Sequence, residues 1–184
     1  MIGFFRRNAR VEAADLAYRR VALQARQPLF FTDYGVPDTL DGRFELICLF
    51  AFLYLTRLKS EGEEGRRLGQ AFTDRMFADL DRGLRELGTG DLRVGREVKR
   101  MVQAFSGRVQ AYANALAGEE RLLAEALSRN LFGTLGEPPA ALAAFAFYLR
   151  RAVEALAAED SGELLSGRVR FLAPERFTFA EALP

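Results

Sequence analysis

The sequence predicts an all-α fold: a single-domain bundle of about six helices around one buried apolar helix. Three observations carry this. Residues 46–55 hold no polar side-chain group except the Tyr54 hydroxyl. In the segments around that run, apolar residues recur at spacings of three and four, the helical period. Glycine and proline fall between these segments, and no alternating pattern offers a strand pairing. As a helix the ten apolar residues span about 15 Å, roughly half a bilayer core. Glu45 and Arg57 flank them closely. The run therefore reads as a helix buried on nearly all sides, not as a membrane span. With 184 residues, 49% of them apolar, the chain suffices for one substantial core.

Taken in order, residues 1–26 carry six arginines against Glu12 and Asp15. A helix is expected over 11–26, with Leu16, Val21 and Leu23 as its stripe. Before it, Phe4 and Phe5 adjoin Arg6 and Arg7, a pairing suited to a membrane interface, where anionic lipid attracts basic residues. The rival reading is an N-terminus whose aromatic rings tuck onto the fold. Pro28 closes the helix, and 27–36, with Phe30, Phe31 and Tyr34, reads as an extended loop held by its rings. Asp38 and Asp41 stand three apart, like a capping box with Asp38 as N-cap of the apolar helix. Arg43 is in reach of either carboxylate.

Residues 59–65 form a polar turn with two glycines. A helix over 64–87 follows, with Leu68, Phe72, Met76, Leu80, Leu84 and Leu87 on one face. Asp79, Asp81 and Arg85 lie on the other, Asp81 and Arg85 at the pairing distance i, i+4. Asp74, Asp79 and Asp81 do not make a DDxxD magnesium motif. Gly88 suits a left-handed C′ position and Asp91 the next N-cap. The helix over 91–116 begins with a basic face: Arg93, Arg96, Lys99 and Arg100 against Glu97. That face is either solvated or a docking surface for an acidic partner or lipid headgroups. Four charges without interleaved aromatics do not make a nucleic-acid footprint. Further helices are expected over 119–132 and, opened by Pro138 and Pro139, over 138–158. Three regions result: a basic helix and aromatic loop (1–33), the helical domain (34–158) and a tail (159–184). The tail's Phe171, Leu172, Phe177 and Phe179 call for cover from the domain or a partner.

Composition narrows the chemistry. The chain has no histidine and one cysteine, Cys48 in the apolar run. That excludes histidine-dependent catalysis, Cys/His zinc sites and an intrachain disulfide. A formal charge of +1 gives no drive toward nucleic acid. The first residues lack the apolar core of a signal peptide, so a cytoplasmic protein is expected. No cofactor or metal is expected.

Four blocks, in order, resemble the ubiquinol–cytochrome c chaperone family in its bacterial form. They are YGVPDTLDGRFE (34–45), FADLDRGLRELG (77–88), GDLRVGREVKRM (90–101) and FSGRVQAY (105–112) with LSRN (127–130). The resemblance covers about 34–130. It implies an all-α assembly factor for respiratory complex III that holds newly made cytochrome b, works without catalysis and sits peripherally on the inner membrane. Two departures stand out. The family's histidine near Phe50 is absent, so any haem contact made through it does not carry over. Ser106 occupies a position where an aromatic is expected. Such a chaperone grips a client by exposed charge and apolar ground, so the partner-binding candidates are the charged positions: Asp38, Asp41, Arg43, Asp79, Asp81, Arg85, Arg93, Arg96, Lys99 and Arg100, with Arg108 and Tyr112 bordering them. Two rivals are a helical lipid or quinone binder, possibly an isoprenoid-type enzyme, and a scaffold that acts through the tail and basic helix.

Overall fold

Helix α3 (Leu40–Leu58) is the axis of the molecule, and every residue from Phe44 to Tyr54 is buried. The computed structural model describes residues 2–86, 88 and 90–175, with the backbone alone for residues 2–6, Leu92 and Glu120. Around α3 lie α1 (Ile2–Ala25), α2 (Pro28–Thr32), α4 (Gly62–Glu86), α5 (Asp91–Ala117), α6 (Glu120–Leu131), α7 (Leu142–Ala157) and α8 (Ser161–Leu165). Six are long and two, α2 and α8, have five residues each. The described residues contain no strand. The fold is all-α, as the apolar periodicity predicts.

Helix α3 contacts α1, α4, α5, α6 and α7, while α1 packs on α4, and α5 packs on α4 and α6. Its rings anchor its neighbours. Phe50 meets Phe30 of α2 at 5.3 Å, Phe52 meets Tyr112 of α5 at 5.6 Å, and Tyr54 meets Phe72 of α4 at 5.1 Å. Fully burying one such side chain contributes about 1.5–3 kcal/mol, so the apolar run is the main source of cohesion.

The elements depart from expectation at their ends. Helix α1 starts at Ile2, well before residue 11, because nothing after Gly3 interrupts it. The side chains of Phe4, Phe5 and Arg6 lie outside the described residues; Arg7 is exposed. The segment 27–36 is not wholly extended, since Pro28 takes a first-turn position and nucleates α2. Asp38 is not the N-cap of α3. Thr39, in an extended conformation, holds that place and accepts a 3.1 Å hydrogen bond from Gly42 N–H. Helix α4 begins at Gly62, two residues early. Asp91 is the first residue of α5, and Gly90 is its cap. Pro138 and Pro139 do not open α7, which begins at Leu142. A residue before proline is pushed out of the helical region, and Pro138 stands before Pro139. Gly88 does take the left-handed conformation, at φ 80°.

The tail is woven into the bundle as far as it is described. Gly167, at φ 79°, ends α8 in a Schellman motif, with Arg168 N–H donating to Glu163 O at 2.9 Å and Gly167 N–H to Leu164 O at 3.0 Å. A Cβ there would also overlap the Ala13 carbonyl, so only glycine lets the tail lie against α1. Val169 is buried, and Phe171 sets its ring against Phe50 at 5.4 Å. Leu172 O accepts from Tyr148 Oη at 2.7 Å and from Gln24 Nε2 at 2.8 Å. Tyr34 Oη donates to Glu175 O at 3.2 Å. Phe177 and Phe179 lie outside the described residues. Deleting 169–184 is therefore expected to lower unfolding stability by roughly 4 kcal/mol, from lost burial and hydrogen bonds. Urea denaturation checks this; an unchanged midpoint would show that the tail is dispensable to the fold.

Candidate functional site

A cleft of about 290 Å³ opens where the start of α3, the middle of α5 and the end of α6 converge. Asp41, Phe44 and Glu45 line it from α3, and Arg100, Met101, Ala104 and Arg108 from α5. Arg129, Asn130 and Leu131 come from α6, with Gly133 and Thr134 just beyond. Helical spacing explains the set. Asp41 and Glu45 are one turn apart on α3, and Arg100, Ala104 and Arg108 each a turn apart on α5.

Glu45 is the first charge preceding the apolar run and is pulled inside with it. Both of its carboxylate oxygens bind Arg108, through Nε and the terminal nitrogen Nη2. Arg108 also donates to Ala104 O at 3.0 Å and lies over the Phe44 ring at 5.9 Å. Burial raises the Glu45 pKa above the ordinary carboxylate value, against the opposing pull of Arg108. Asn130 sits beside the Tyr112 hydroxyl. Beyond that contact, no described protein group is a hydrogen-bond partner of Asn130 Nδ2 or Tyr112 Oη.

Of the sequence candidates, Asp41, Arg100 and Arg108 meet in this cleft. Asp38 and Arg43 pair with each other at 2.7 Å and line a neighbouring cavity with Arg26 and Phe31. The Arg43 guanidinium holds the Asp38 carboxyl below its usual range. Asp79 belongs to a clamp between α1 and α4: it accepts from Tyr18 Oη at 2.8 Å and pairs with Arg75 and Arg82. Arg75 in turn reaches Asp15 at 2.8 Å and covers the Tyr18 ring at 5.0 Å. Arg85 bridges Asp81 at 2.7 Å and Asp91, tying α4 to the start of α5. Arg93, Arg96 and Lys99 are exposed on α5; Arg100 pairs with Glu97 at 2.9 Å.

Tyr112 does not border this surface. It is fully buried behind α3, because its position on the apolar stripe of α5 faces the core. The sequence reading missed Glu45, Arg129 and Asn130. Glu45 carried a usable signal: a carboxylate at the edge of a helix buried all round requires a partner. Arg129 and Asn130 stand in the resemblance block LSRN (127–130), but neither charge nor period places them at a cleft, which is made by how α6 ends beside α5.

The Ubiquinol-cytochrome C chaperone family model matches residues 32–171, which include the whole cleft. The chain belongs to that family. It resembles the crystal structure of the Cbp3 homolog from Brucella abortus with a TM-score of 0.80 and 35% identity, covering 94% of this chain and 97% of that one. It is 27% identical over 136 residues to Ubiquinol-cytochrome-c reductase complex assembly factor 1 of Xenopus laevis, covering 74% of this chain and 68% of that protein. It is 28% identical over 123 residues to Protein CBP3, mitochondrial, of Saccharomyces cerevisiae, covering 64% of this chain and 36% of that protein. The chain spans about half the length of the mouse relative, at 48%, so the chaperone family's longer members contain more than this unit.

The ion pair at the cleft makes a pH-dependent prediction. In Arg108→Met, Glu45 loses the group that lowers its pKa, so its folded-state pKa rises further. A carboxyl raised by folding contributes stability below its unfolded value and loses it as pH climbs through the folded value. The variant is expected to be destabilised by about 3 kcal/mol at pH 8 and by less at pH 5. Adding Glu45→Gln restores most of the loss. Urea unfolding at both pH values checks the sign, and an equal loss at both would contradict it.

Proposed function

We propose that this chain is a non-enzymatic assembly chaperone that binds newly made cytochrome b and promotes assembly of respiratory complex III, the ubiquinol–cytochrome c oxidoreductase. The carrying observation is the likeness to the Brucella abortus Cbp3 homolog over nearly the full length of both chains. Family membership across residues 32–171 supports the same reading.

The surface chemistry agrees with a binding role. The α3–α5–α6 cleft mixes charge with Phe44, Met101 and Leu131, the combination that gives a docking surface both steering and affinity. Arg93, Arg96 and Lys99 extend its basic side along α5. The lipid or quinone reading needs a deep apolar pocket. The larger cavity of about 540 Å³, between α1, α4 and α8, is instead lined in part by Arg10, Glu12, Glu64 and Arg168. The scaffold reading asks for a tail free to act alone, whereas residues 164–172 are bonded into the core.

No helix among the described residues is long and apolar enough to cross a membrane. In this reading the chaperone works on the cytoplasmic face of the inner membrane and touches lipid through the start of α1, with Phe4, Phe5, Arg6 and Arg7. Deleting the gene is expected to deplete cytochrome b and assembled complex III while transcripts of the complex III genes persist. Difference spectra of membranes and transcript levels check this together. Normal complex III in the deletion strain would reject the proposal.

A further inference from the structure

Charge is divided unevenly along the chain, and the basic share lies on α1. Residues 1–26 hold six arginines against Glu12 and Asp15, a balance of +4 in a chain of formal charge +1, so residues 27–184 carry −3. Arg19, Arg20, Leu23 and Arg26 stand at helical spacing on the side of α1 turned away from α3 and α4, and all four are exposed. Tyr18, Val21, Ala22, Gln24 and Ala25, which alternate with them, are buried against the bundle. Among the described residues of α1, Arg7, Arg10, Arg20 and Arg26 have no carboxylate within ion-pair distance, and Glu12 is the one acid without a cation. Asp15 is shared by Arg19 at 2.6 Å and Arg75 at 2.8 Å, so one carboxylate answers two guanidinium groups. Just beyond Arg26, Asp38 is taken by Arg43 at 2.7 Å, and the half-buried Asp33 accepts from Thr32 Oγ1 at 2.5 Å.

A net positive face fits an anionic partner, and its shape and its apolar member choose among anions. The outer side of one helix is convex. It offers no pocket to close on a side chain of a protein, whereas a plane lies along it. Leu23 is 61% exposed, with Arg19 and Arg20 one turn before it and Arg26 one turn after. An apolar residue ringed by cations matches the boundary of headgroups and acyl chains, where guanidinium meets phosphate and the apolar side chain leaves water. A nucleic-acid backbone or an acidic protein surface would satisfy the arginines and leave Leu23 in water. The basic run on α5 lies instead in the negative remainder of the chain, beside Asp81, Asp91 and Glu97. We propose that the second half of α1 docks on the anionic surface of a lipid bilayer, with Arg19, Arg20 and Arg26 at the phosphates and Leu23 in the interface. This inference rests on the reading that the chaperone touches lipid through the start of α1, and extends that contact along the helix. Arg7 and Arg26 lie about 28 Å apart at about 1.5 Å per residue, so α1 lies flat on the membrane. Because α3, α5 and α6 line the cleft and α1 does not, docking through α1 leaves the cleft uncovered.

The chain contains no tryptophan, so one placed on this face reports its own surroundings alone. Full-length Leu23→Trp is mixed with phosphatidylcholine vesicles that contain or lack about one-third phosphatidylglycerol. Blue-shifted emission, and quenching by brominated acyl chains, are expected with the anionic vesicles only. Val102→Trp, at an exposed position of α5, is expected to keep the emission it has in water. Vesicle flotation measures affinity. Arg20→Gln with Arg26→Gln is expected to weaken it about 25-fold, about fivefold for each arginine. Arg96→Gln with Lys99→Gln removes the same net charge from α5 and is expected to change it less than about twofold. Circular dichroism confirms that each variant is folded. Equal losses from the two pairs, a Leu23→Trp emission that stays at its water value on bound vesicles, or no flotation with anionic vesicles overturns the proposal. Capture of cytochrome b from detergent-solubilised membranes separates the two levels. If the unaltered chain captures it but does not bind vesicles, the lipid inference fails and the chaperone reading stands. If the Arg20 and Arg26 pair impairs capture and not flotation, the face serves a protein and the lipid inference fails. If the chain neither captures cytochrome b nor binds vesicles, both fail.

Discussion

The burial of α3 on all sides is the constraint on which the rest of the structure depends. A helix with rings on every face cannot be satisfied by one partner. Hence α1, α4, α5, α6 and α7 all pack on it, and α2 and the tail fill what remains. The same burial draws in Glu45, and a carboxylate taken from water needs a cation at bonding distance. Arg108 answers that need, and the pair becomes the wall of the cleft. The functional surface thus follows from the core: the end of the apolar run sets where charge must gather.

Much of the fold was legible because its signals are local. The apolar period marked the six long helices, and Gly88 marked a left-handed stop. The misreadings were contests between neighbouring signals. Asp38 and Thr39 both suit an N-cap, and Thr39 wins because it stands directly before the helix, while Asp38 turns to Arg43. Pro138 and Pro139 look like a helix start, but a doubled proline keeps the first out of the helical region. The site was less legible. Asp41, Arg100 and Arg108 could be named from charge alone, but their meeting with Arg129 and Asn130 depends on the angle at which α6 leaves α5. Tyr112 shows the opposite error: it is expected to border the charged surface beside Arg108, while its place on the apolar stripe of α5 puts it in the core.

Charge in this molecule divides into two kinds of work. The Tyr18–Asp79–Arg75–Asp15 cluster and the Asp81–Arg85–Asp91 bridge join helices to one another, so their loss acts first on the fold. The basic run on α5 and the Arg129 corner of the cleft make few internal bonds and remain turned outward. A chaperone that must release its client benefits from this division. The rigid clamps hold the surface in shape, and screened, partly exposed charge gives contacts that steer and register without locking.

The central claim is that this chain holds cytochrome b before complex III is complete. The most direct measurement is affinity capture of the tagged full-length chain from its own detergent-solubilised membranes, followed by mass spectrometry. The account predicts enrichment of cytochrome b without the other subunits of mature complex III. Recovery of the chain with no membrane subunit, or with the whole assembled complex, would contradict it.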